Sequence, residues 1–327
     1  MDEDALRAED VAAMLGIGRN AVYELAKSGE LPSYRIGRKL RFTSGDVQRY
    51  IEHARAASAG AVLADEPGAA ASPAGSAGVG APVQASTQVG VLKASGAAFV
   101  LSGSDIVGDV LAHRLGSAGM AVARSYRTSH QALVELYLGQ ADAAFIHLYD
   151  RKTNTYNAPF VQRIAPGTPL VLIRLVRRSI GLVVAEGNPK QLRRWSDLLF
   201  EDVNLANAPL GSGARVLLDE KLVGLEAQPS AVKGWDRELS STSAVPQLVA
   251  SGGADVGVCT RQLAAQTRGV DYLAMQDEWL DVAVAKSPRT RPLVRAIVGL
   301  SQDQQAKAEL GDMGFDASRL GAIVYEC

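Results

Sequence analysis

Two sets of small hydroxyl residues recur in the same order along this 327-residue chain, and any binding chemistry would sit on them. The first set runs Ser102-Gly-Ser104-Asp105 into IVGDVLAHRL, then Thr128-Ser129 ahead of QALVELYLG, then Gln140-Ala-Asp142 into AAFIHL. The second runs Gly211-Ser212-Gly213 into ARVLLDEKL, then Thr242-Ser243 into AVPQLVASG, then Gly253-Ala-Asp255 into VGVCT. Each hydroxyl turn precedes a helical pattern. A helix start leaves backbone N–H groups without partners and carries partial positive charge, so four such starts converging from two similar lobes would hold an anion with neutral donors. Taken singly, Ser, Thr and Asp at these places also serve as ordinary N-caps worth about 1 kcal/mol each. Only their paired recurrence speaks for a shared cleft. Asp142 and Asp255 read as braces for the turn into a strand, since a carboxylate would repel an anion.

The elements that must position these turns alternate. AAFVLSG, AFIHLY, LVLIRLV, GLVVAEG, VGVCT and WLDVAVA read as strands, while DIVGDVLAHRLG, HQALVELYLG, RVLLDEKLVG, AVPQLVASG and PLVRAIVGLSQDQQAKAELGDMG read as helices. Alternation of this kind implies a mostly parallel sheet, and the internal repeat implies two such units. Ahead of them, residues 57–90 are dominated by Ala, Gly, Ser and Pro and read as a flexible linker, with an r.m.s. span of roughly 30 Å.

Residues 1–56 form a separate module. DVAAMLG and Arg19 to Lys27 read as two helices joined by a Gly-containing turn, with Val11, Met14, Leu15, Val22 and Leu25 as their apolar contacts. The hairpin-like YRIGRKLRF follows, with Gly37-Arg38 at its tip. The whole chain has a net charge of −1, so any nucleic-acid contact must be local. Between residues 19 and 41 the bases Arg19, Lys27, Arg35, Arg38, Lys39 and Arg41 face only Glu24 and Glu30. That concentration on a second helix and a hairpin is where DNA phosphates would lie. Arg19, Asn20 and Tyr23 are placed to reach base edges, and Arg38, Lys39 and Arg41 to contact backbone or minor groove.

Composition excludes several classes. The N-terminus MDEDALRAED is too polar for a signal peptide, and no apolar run reaches the ~18 residues of a membrane span. Cys259 and Cys327 lie far apart without ligand spacing, and the four histidines cluster with neither, so no metal, no cofactor and a cytoplasmic location are expected. No nucleophile elbow or P-loop lysine motif occurs, and no catalytic residue is assigned.

Residues 6–51, LRAEDVAAMLGIGRNAVYELAKSGELPSYRIGRKLRFTSGDVQRYI, closely resemble the MerR-like winged helix-turn-helix of the excisionase type, most specifically in SGELPSYRIGRKLRF. The resemblance implies base reading by Arg19, Asn20 and Tyr23 and a wing formed by Arg38, Lys39 and Arg41. Residues 95–285, through SYRTSHQALVELYLGQADAAFIHLYDRKTNTYNAPFVQR, GLVVAEGNPKQLRRWSDLL, NLANAPLGSGARVLLDEKL and LVASGGADVGV, resemble the intracellular periplasmic-binding-protein-like domain related to molybdate-binding proteins. It implies a small, mostly α winged helix-turn-helix joined to an α/β type II two-lobe receptor. Lobe one would comprise about 91–183 and 284–327, and lobe two 184–283. The chain would cross near Gly181 to Asn188 and return near Trp279 to Ala283.

Two departures bear on the ligand. The family's usual GSGTR is here Gly211-Ser-Gly-Ala214-Arg215, and its usual asparagine-arginine is Asn207-Ala208. A cleft hydroxyl is therefore missing, and a different or larger ligand stays open beside an oxyanion. The ligand-site candidates are Ser102, Ser104, Thr128, Ser129, His147, Ser212, Gly213, Arg215, Thr242 and Ser243. His147 either bonds ligand or pins the LYDRKTNTYN loop. Arg127, Arg215 and Arg261 lie near the same turns; one pointing inward would favour a carboxylate or phosphate ligand, and all pointing outward a tetrahedral oxyanion held by neutral donors. The expected partners are double-stranded DNA with an inverted-repeat operator, a small anion and a second copy of the chain. The rival expectations are an excisionase-like recombination accessory factor and a sensor of a small organic acid or phosphorylated metabolite.

Overall fold

The computed structural model describes residues 98–327 throughout and, ahead of them, residues 6–15, 18, 22, 23, 25, 26, 31, 33–36, 39–43 and 47. The expected linker 57–90 lies outside the described residues. The chain divides into two compact units, Met1–Val79 and Gly80–Cys327.

In the first unit, α1 (Ala8–Leu15) and the helical residues Val22, Tyr23, Leu25 and Ala26 lie ahead of a short antiparallel pair, β1 (Tyr34–Ile36) and β2 (Lys39–Arg41). Val11, Val22, Leu31, Phe42 and Val47 are fully buried and form the core, with Leu25 packed beside them. Val11, Val22 and Leu25 thus take the places that helical spacing assigned them. The side chains of Met14 and Leu15 fall outside the described residues. This is a helix-turn-helix domain.

The second unit begins with β3 (Phe99–Ser102), α2 (Ile106–Ser117), β4 (Val122–Ser125), α3 (Ser129–Tyr137) and β5 (Ala143–Ile146). β3 pairs in parallel with both β4 and β5. A small hairpin, β6 (Tyr149–Asp150) with β7 (Thr155–Tyr156), and α4 (Ala158–Ile164) lead into the sixteen-residue β8 (Leu170–Ala185). Next come β9 (Leu205–Ala206), α5 (Gly213–Gly224), α6 (Ala244–Ala250), β10 (Val256–Thr260), α7 (Arg261–Ala265) and the sixteen-residue β11 (Val270–Ala285). α8 (Arg291–Gly299), α9 (Gln304–Asp312) and β12 (Ile323–Glu326) close the unit.

Seven strands follow the order β4-β3-β5-β11-β8-β10-β9, and β12 joins the sheet on β8. The sheet is mixed rather than mostly parallel. Its centre is antiparallel, because β8 and β11 run the length of both lobes and pair from Val270↔Ala185 to Ala285↔Leu170. Segments that read as two strands, LVLIRLV and GLVVAEG, are one. The reason is burial on both faces: Val171, Ile173 and Leu175 enter one core, Leu170 and Leu172 another, which removes the polar alternation that marks a strand's ends. Further along, Ile180, Leu182 and Val184 enter the core of lobe two. The handover from lobe to lobe falls at Arg177–Ser179 on β8 and at Gln276–Trp279 on β11, slightly earlier along the chain than expected.

The internal repeat is geometric as well as sequential. Asp142 Oδ2 accepts from Val100 N at 2.8 Å while Asp142 N donates to Val100 O at 2.8 Å. In lobe two, Asp255 Oδ2 accepts from Asn204 N at 2.8 Å and Asp255 N donates to Asn204 O at 2.8 Å. Both aspartates brace the start of a strand, as their position after the Gly/Gln-Ala turn indicated. Asp142 also pairs with Arg289 at 2.5 Å and is the more deeply buried of the two. Asp142→Ala is expected to lower unfolding free energy by about 1–3 kcal/mol, because it strands a buried N–H and a guanidinium. Asp255→Ala should cost less. Urea midpoints at unchanged m-value give the comparison.

Candidate functional site

A cleft of about 770 Å³ opens where the two lobes' turns meet. From lobe one, Ser104, Thr128, Ser129 and His147 line it; from lobe two, Ser212 and Thr242 do. Of the ten candidates, those six reach the cleft. The other four do not, each for a visible reason. Ser102 is fully buried and donates its Oγ hydrogen to Glu135 Oε2 at 2.6 Å. Gly213 lies beneath the cleft against His147. Arg215 turns back into lobe two, stacking on Trp235 at 4.0 Å and donating from Nε to Asp219 Oδ1 at 3.2 Å. Ser243 is exposed and pairs its hydroxyl with Ser241 at 2.9 Å.

Two of the hydroxyls that line the cleft, those of Thr128 and Ser212, cap helices. Thr128 Oγ1 caps α3 by accepting from Gln131 N at 3.4 Å, with Gln131 Oε1 returning the bond to Thr128 N at 3.3 Å. Ser212 Oγ caps α5 by accepting from Arg215 N at 3.3 Å. At α2 the cap is Asp105, whose carboxylate accepts from Val107 N at 3.0 Å. At α6 the N-cap Ser243 makes no side-chain cap bond, although Ser241 Oγ, two residues earlier, accepts from Ala244 N at 3.3 Å. The ordinary N-cap role is therefore fulfilled at α2, α3 and α5, and a ligand would meet Thr128 and Ser212 already oriented by their helices.

Close glycine contacts seat lobe two on lobe one. Gly211 has φ +78° and its carbonyl accepts from His130 N at 3.0 Å; a Cβ there would stand 2.9 Å from His130 Cβ. A Cβ on Gly213 would collide with the His147 imidazole. On the same side, Tyr149 and Tyr156 of the β6–β7 hairpin leave lobe one and pack into the core of lobe two. Asn157, just after the hairpin, accepts from Leu148 N at 2.7 Å and donates to Asp281 Oδ2 at 2.8 Å. The LYDRKTNTYN segment is thus an interlobe strap.

Charge is concentrated behind the cleft. Arg178 on β8 and Glu278 on β11 are register partners, and Arg178 Nε donates to Glu278 Oε1 at 2.7 Å. Arg178 Nη1 also pairs with Asp105 Oδ2 at 2.6 Å. Glu278 Oε2 lies 3.2 Å from His147 Nδ1. Burial works to raise the Glu278 pKa from its ordinary 4.5, but His147 and Arg178 overcome it and hold the carboxyl at about 2. Burial likewise opposes the charge on Arg178, and Asp105 and Glu278 outweigh it, pushing its pKa further up. Arg127 lines the cleft but donates from Nε to Glu135 Oε1 at 2.7 Å, and Arg261 lies over Tyr272 at 5.4 Å. Of the three arginines named from sequence, Arg127 thus lines the cleft beside Glu135, while Arg215 and Arg261 do not line it.

Residues that spacing did not single out also line the cleft: Asp105, Tyr126, His130, Glu135, Leu210, Glu238, Ser240 and Ser241. The run Ser240-Ser241-Thr242-Ser243 was a legible signal for the two serines. Glu135 and Glu238 had none, since their place depends on the approach of distant turns. Among the described residues no group of three or more His, Cys, Asp or Glu side chains could hold a metal ion, and no helix is long and apolar enough to cross a membrane.

In the first unit, Tyr23 is 44% exposed on its helix, and Arg41 is half-buried with Nη1 donating to Leu40 O at 3.0 Å. Arg35 and Lys39 lie on β1 and β2, and their side chains fall outside the described residues. Arg19, Asn20, Lys27 and Arg38 lie outside them altogether.

A model described as a PBP superfamily domain matches residues 111–302, and one described as a helix-turn-helix domain matches residues 5–55. The uncharacterized protein YvgK of Bacillus subtilis (strain 168) is 35% identical over 321 residues, covering 97% of each chain. An uncharacterized protein from the 5′ region of a ferredoxin 2Fe-2S gene of Clostridium pasteurianum is 30% identical over 112 residues, which are 34% of this chain and 99% of that one. Two solved structures are similar in fold. An ABC-type phosphate transport receptor from Vibrio cholerae is 18% identical over 66% of this chain and 98% of its own, with a TM-score of 0.47. An H2O2-bound mutant of Corynebacterium glutamicum OxyR is 15% identical over 94% and 91%, with a TM-score of 0.48.

The charge network makes a pH prediction. A carboxylate held at about 2 against an ordinary 4.5 contributes stability above about pH 4.5, and that contribution is lost as pH falls toward 2. Glu278→Gln is expected to cost about 3 kcal/mol at neutral pH, the scale of breaking a buried ion pair. Urea unfolding of both proteins should show the gap narrowing steadily below about pH 4.5; a constant gap would mean that the Glu278 carboxyl titrates alike in the folded and unfolded chain.

Proposed function

The chain belongs to the PBP superfamily and carries a helix-turn-helix domain at its N-terminal end, and from that premise we propose that it is a cytoplasmic, ligand-responsive transcription regulator. A small anion enters the cleft and biases the lobes, and the bias alters how the DNA-binding heads are presented. Control of this kind needs different ligand affinities in the DNA-competent and incompetent states. One head reads a short half-site, so the active species is a homodimer on an inverted repeat. Arg19, Asn20 and Tyr23 read bases, while Lys27, Arg35, Arg38, Lys39 and Arg41 meet the backbone or minor groove.

One observation carries the ligand reading. Hydroxyl-bearing helix starts from both lobes meet at one cleft, where Arg127, the one of the three named arginines that lines it, is already paired through Nε with Glu135. Neutral donors in that arrangement suit a fully ionised tetrahedral oxyanion of the molybdate or tungstate kind. A second reading, a small organic acid, draws on the cleft volume of about 770 Å³ and on Tyr126 and Leu210, which line it and are 61% and 63% exposed. No reaction is assigned to the cleft. Thr128 and Ser212 spend their hydroxyl oxygens on helix caps, and His147 faces Glu278 rather than a hydroxyl. The two-lobe receptor also favours a sensor over a recombination accessory factor, which needs little more than the head.

Calorimetric titration of molybdate, tungstate, sulfate and phosphate tests the ligand class. At least one should bind, and at 100 times its Kd it should add about 2.7 kcal/mol of stability. Ser212→Asp keeps a competent N-cap but sets a carboxylate at the cleft, and should abolish binding. Silence from all four ions together with a signal from a small carboxylate would move the assignment to the second reading. For DNA, Arg38→Ala should weaken binding to every sequence and lower the salt slope by about 1, whereas Asn20→Ala should cost about 1–3 kcal/mol on the preferred site alone. Anisotropy titrations at several salt concentrations separate the two.

A further inference from the structure

We infer that oxyanion binding in the cleft is proton-linked through His147, with Glu278 and Arg178 as the positioning residues that make it so. The inference rests on the reading of the cleft as the anion site.

The argument begins with hydrogen-bond direction. Glu278 is fully buried and ionised, and its Oε2 stands 3.2 Å from His147 Nδ1, so Nδ1 must carry the hydrogen of that contact. This fixes the tautomer. A neutral imidazole held that way presents Nε2 as a bare lone pair, and among the described residues no hydrogen bond engages Nε2. His147 lines the cleft, so Nε2 is its remaining polar atom for a ligand. A fully ionised oxyanion has only lone pairs to offer. Nε2 can bond to it only after taking up a proton, which makes both ring nitrogens donors.

Charge balance points the same way. Asp105 and Glu278 set two negative charges against the one positive charge of Arg178, all three nearly or fully buried. With neutral His147 the cluster carries one excess negative charge, which opposes an arriving anion. Imidazolium closes that balance. Glu278 from β11 favours the charged ring, and Asp105 at the start of α2 adds to it through Arg178 of β8. The start of α5 at Gly213 opposes it with its positive end. Glu135 of the same lobe and Glu238 from across the cleft also line it, and Arg127 is paired with Glu135. His130 shares the cleft as a second imidazole. The tyrosine hydroxyl near Glu278, that of Tyr156, accepts from Gln276 Nε2 at 2.6 Å.

The same geometry discriminates by protonation state. An oxyanion that arrives with its own O–H can donate to neutral Nε2 and needs no proton uptake. Fully ionised sulfate or molybdate cannot.

The test is calorimetry of molybdate and sulfate with the full-length protein, between about pH 5 and 8, in paired buffers of different ionisation heat. The expected result is uptake approaching one proton per bound ion in the upper part of that range. Affinity should fall by up to tenfold per pH unit there. His147→Gln should leave weaker binding that no longer depends on pH. The wild-type buffer comparison needs no variant, so it decides the matter even if a substitution unfolds the protein. Binding of either ion with no proton uptake and a flat pH profile overturns this inference and leaves the cleft reading intact. No binding of either ion at any pH overturns the inference, and silence from tungstate and phosphate as well overturns its premise.

Discussion

The antiparallel pairing of β8 with β11 is the constraint on which the rest of the receptor depends. Its two ends are apolar and belong to different cores, while its middle carries Arg178 against Glu278 and Arg174 against Asp281, both as register partners. Arg174 holds Asp281 through two contacts, at 2.8 and 3.1 Å, and stacks on Trp279 at 4.0 Å. A slip of one residue would move every side chain to the other face and leave these charges buried and unpaired, a penalty of about 3–5 kcal/mol for each broken pair. The ion pairs therefore fix the register, and the register fixes where the two lobes present their turns. The cleft is a by-product of that alignment.

The helix starts show how one set of residues serves stability and recognition together. Thr128 and Ser212 satisfy orphan backbone N–H groups from within the chain, so those donors need no outside partner. Arg127 is balanced by Glu135 and Arg178 by Asp105 and Glu278. A ligand therefore meets caps and ion pairs that are already formed around it.

Much of this organisation was legible in the residues, and its failures have physical causes. Helices α2, α3, α5 and α6 followed from apolar spacing behind capping residues, and the matching roles of Asp142 and Asp255 followed from the repeat. The run PLVRAIVGLSQDQQAKAELGDMG divides into α8 and α9 because Asp303 accepts from Ala306 N and starts a new helix. The joined length of β8 was hidden because a strand buried on both faces loses its period-two signature. Glu278 stood in a stretch, MQDEW, with neither helical nor alternating apolar pattern, so nothing local announced that it would sit behind the cleft. His147 was placed by its strand, but its acidic partner lay 131 residues away. Long-range charge pairing of that kind leaves no trace in spacing.

The strap formed by Tyr149 and Tyr156 has a mechanical consequence. A hinged pair of bodies joined only at its spine would gape freely, like a book. Here a tab from one cover is glued inside the other, and a wide swing would expose two aromatic rings to water at roughly 1.5–3 kcal/mol each. The seated tab therefore resists wide opening of the lobes. Any rearrangement that leaves the tab seated must be a small one.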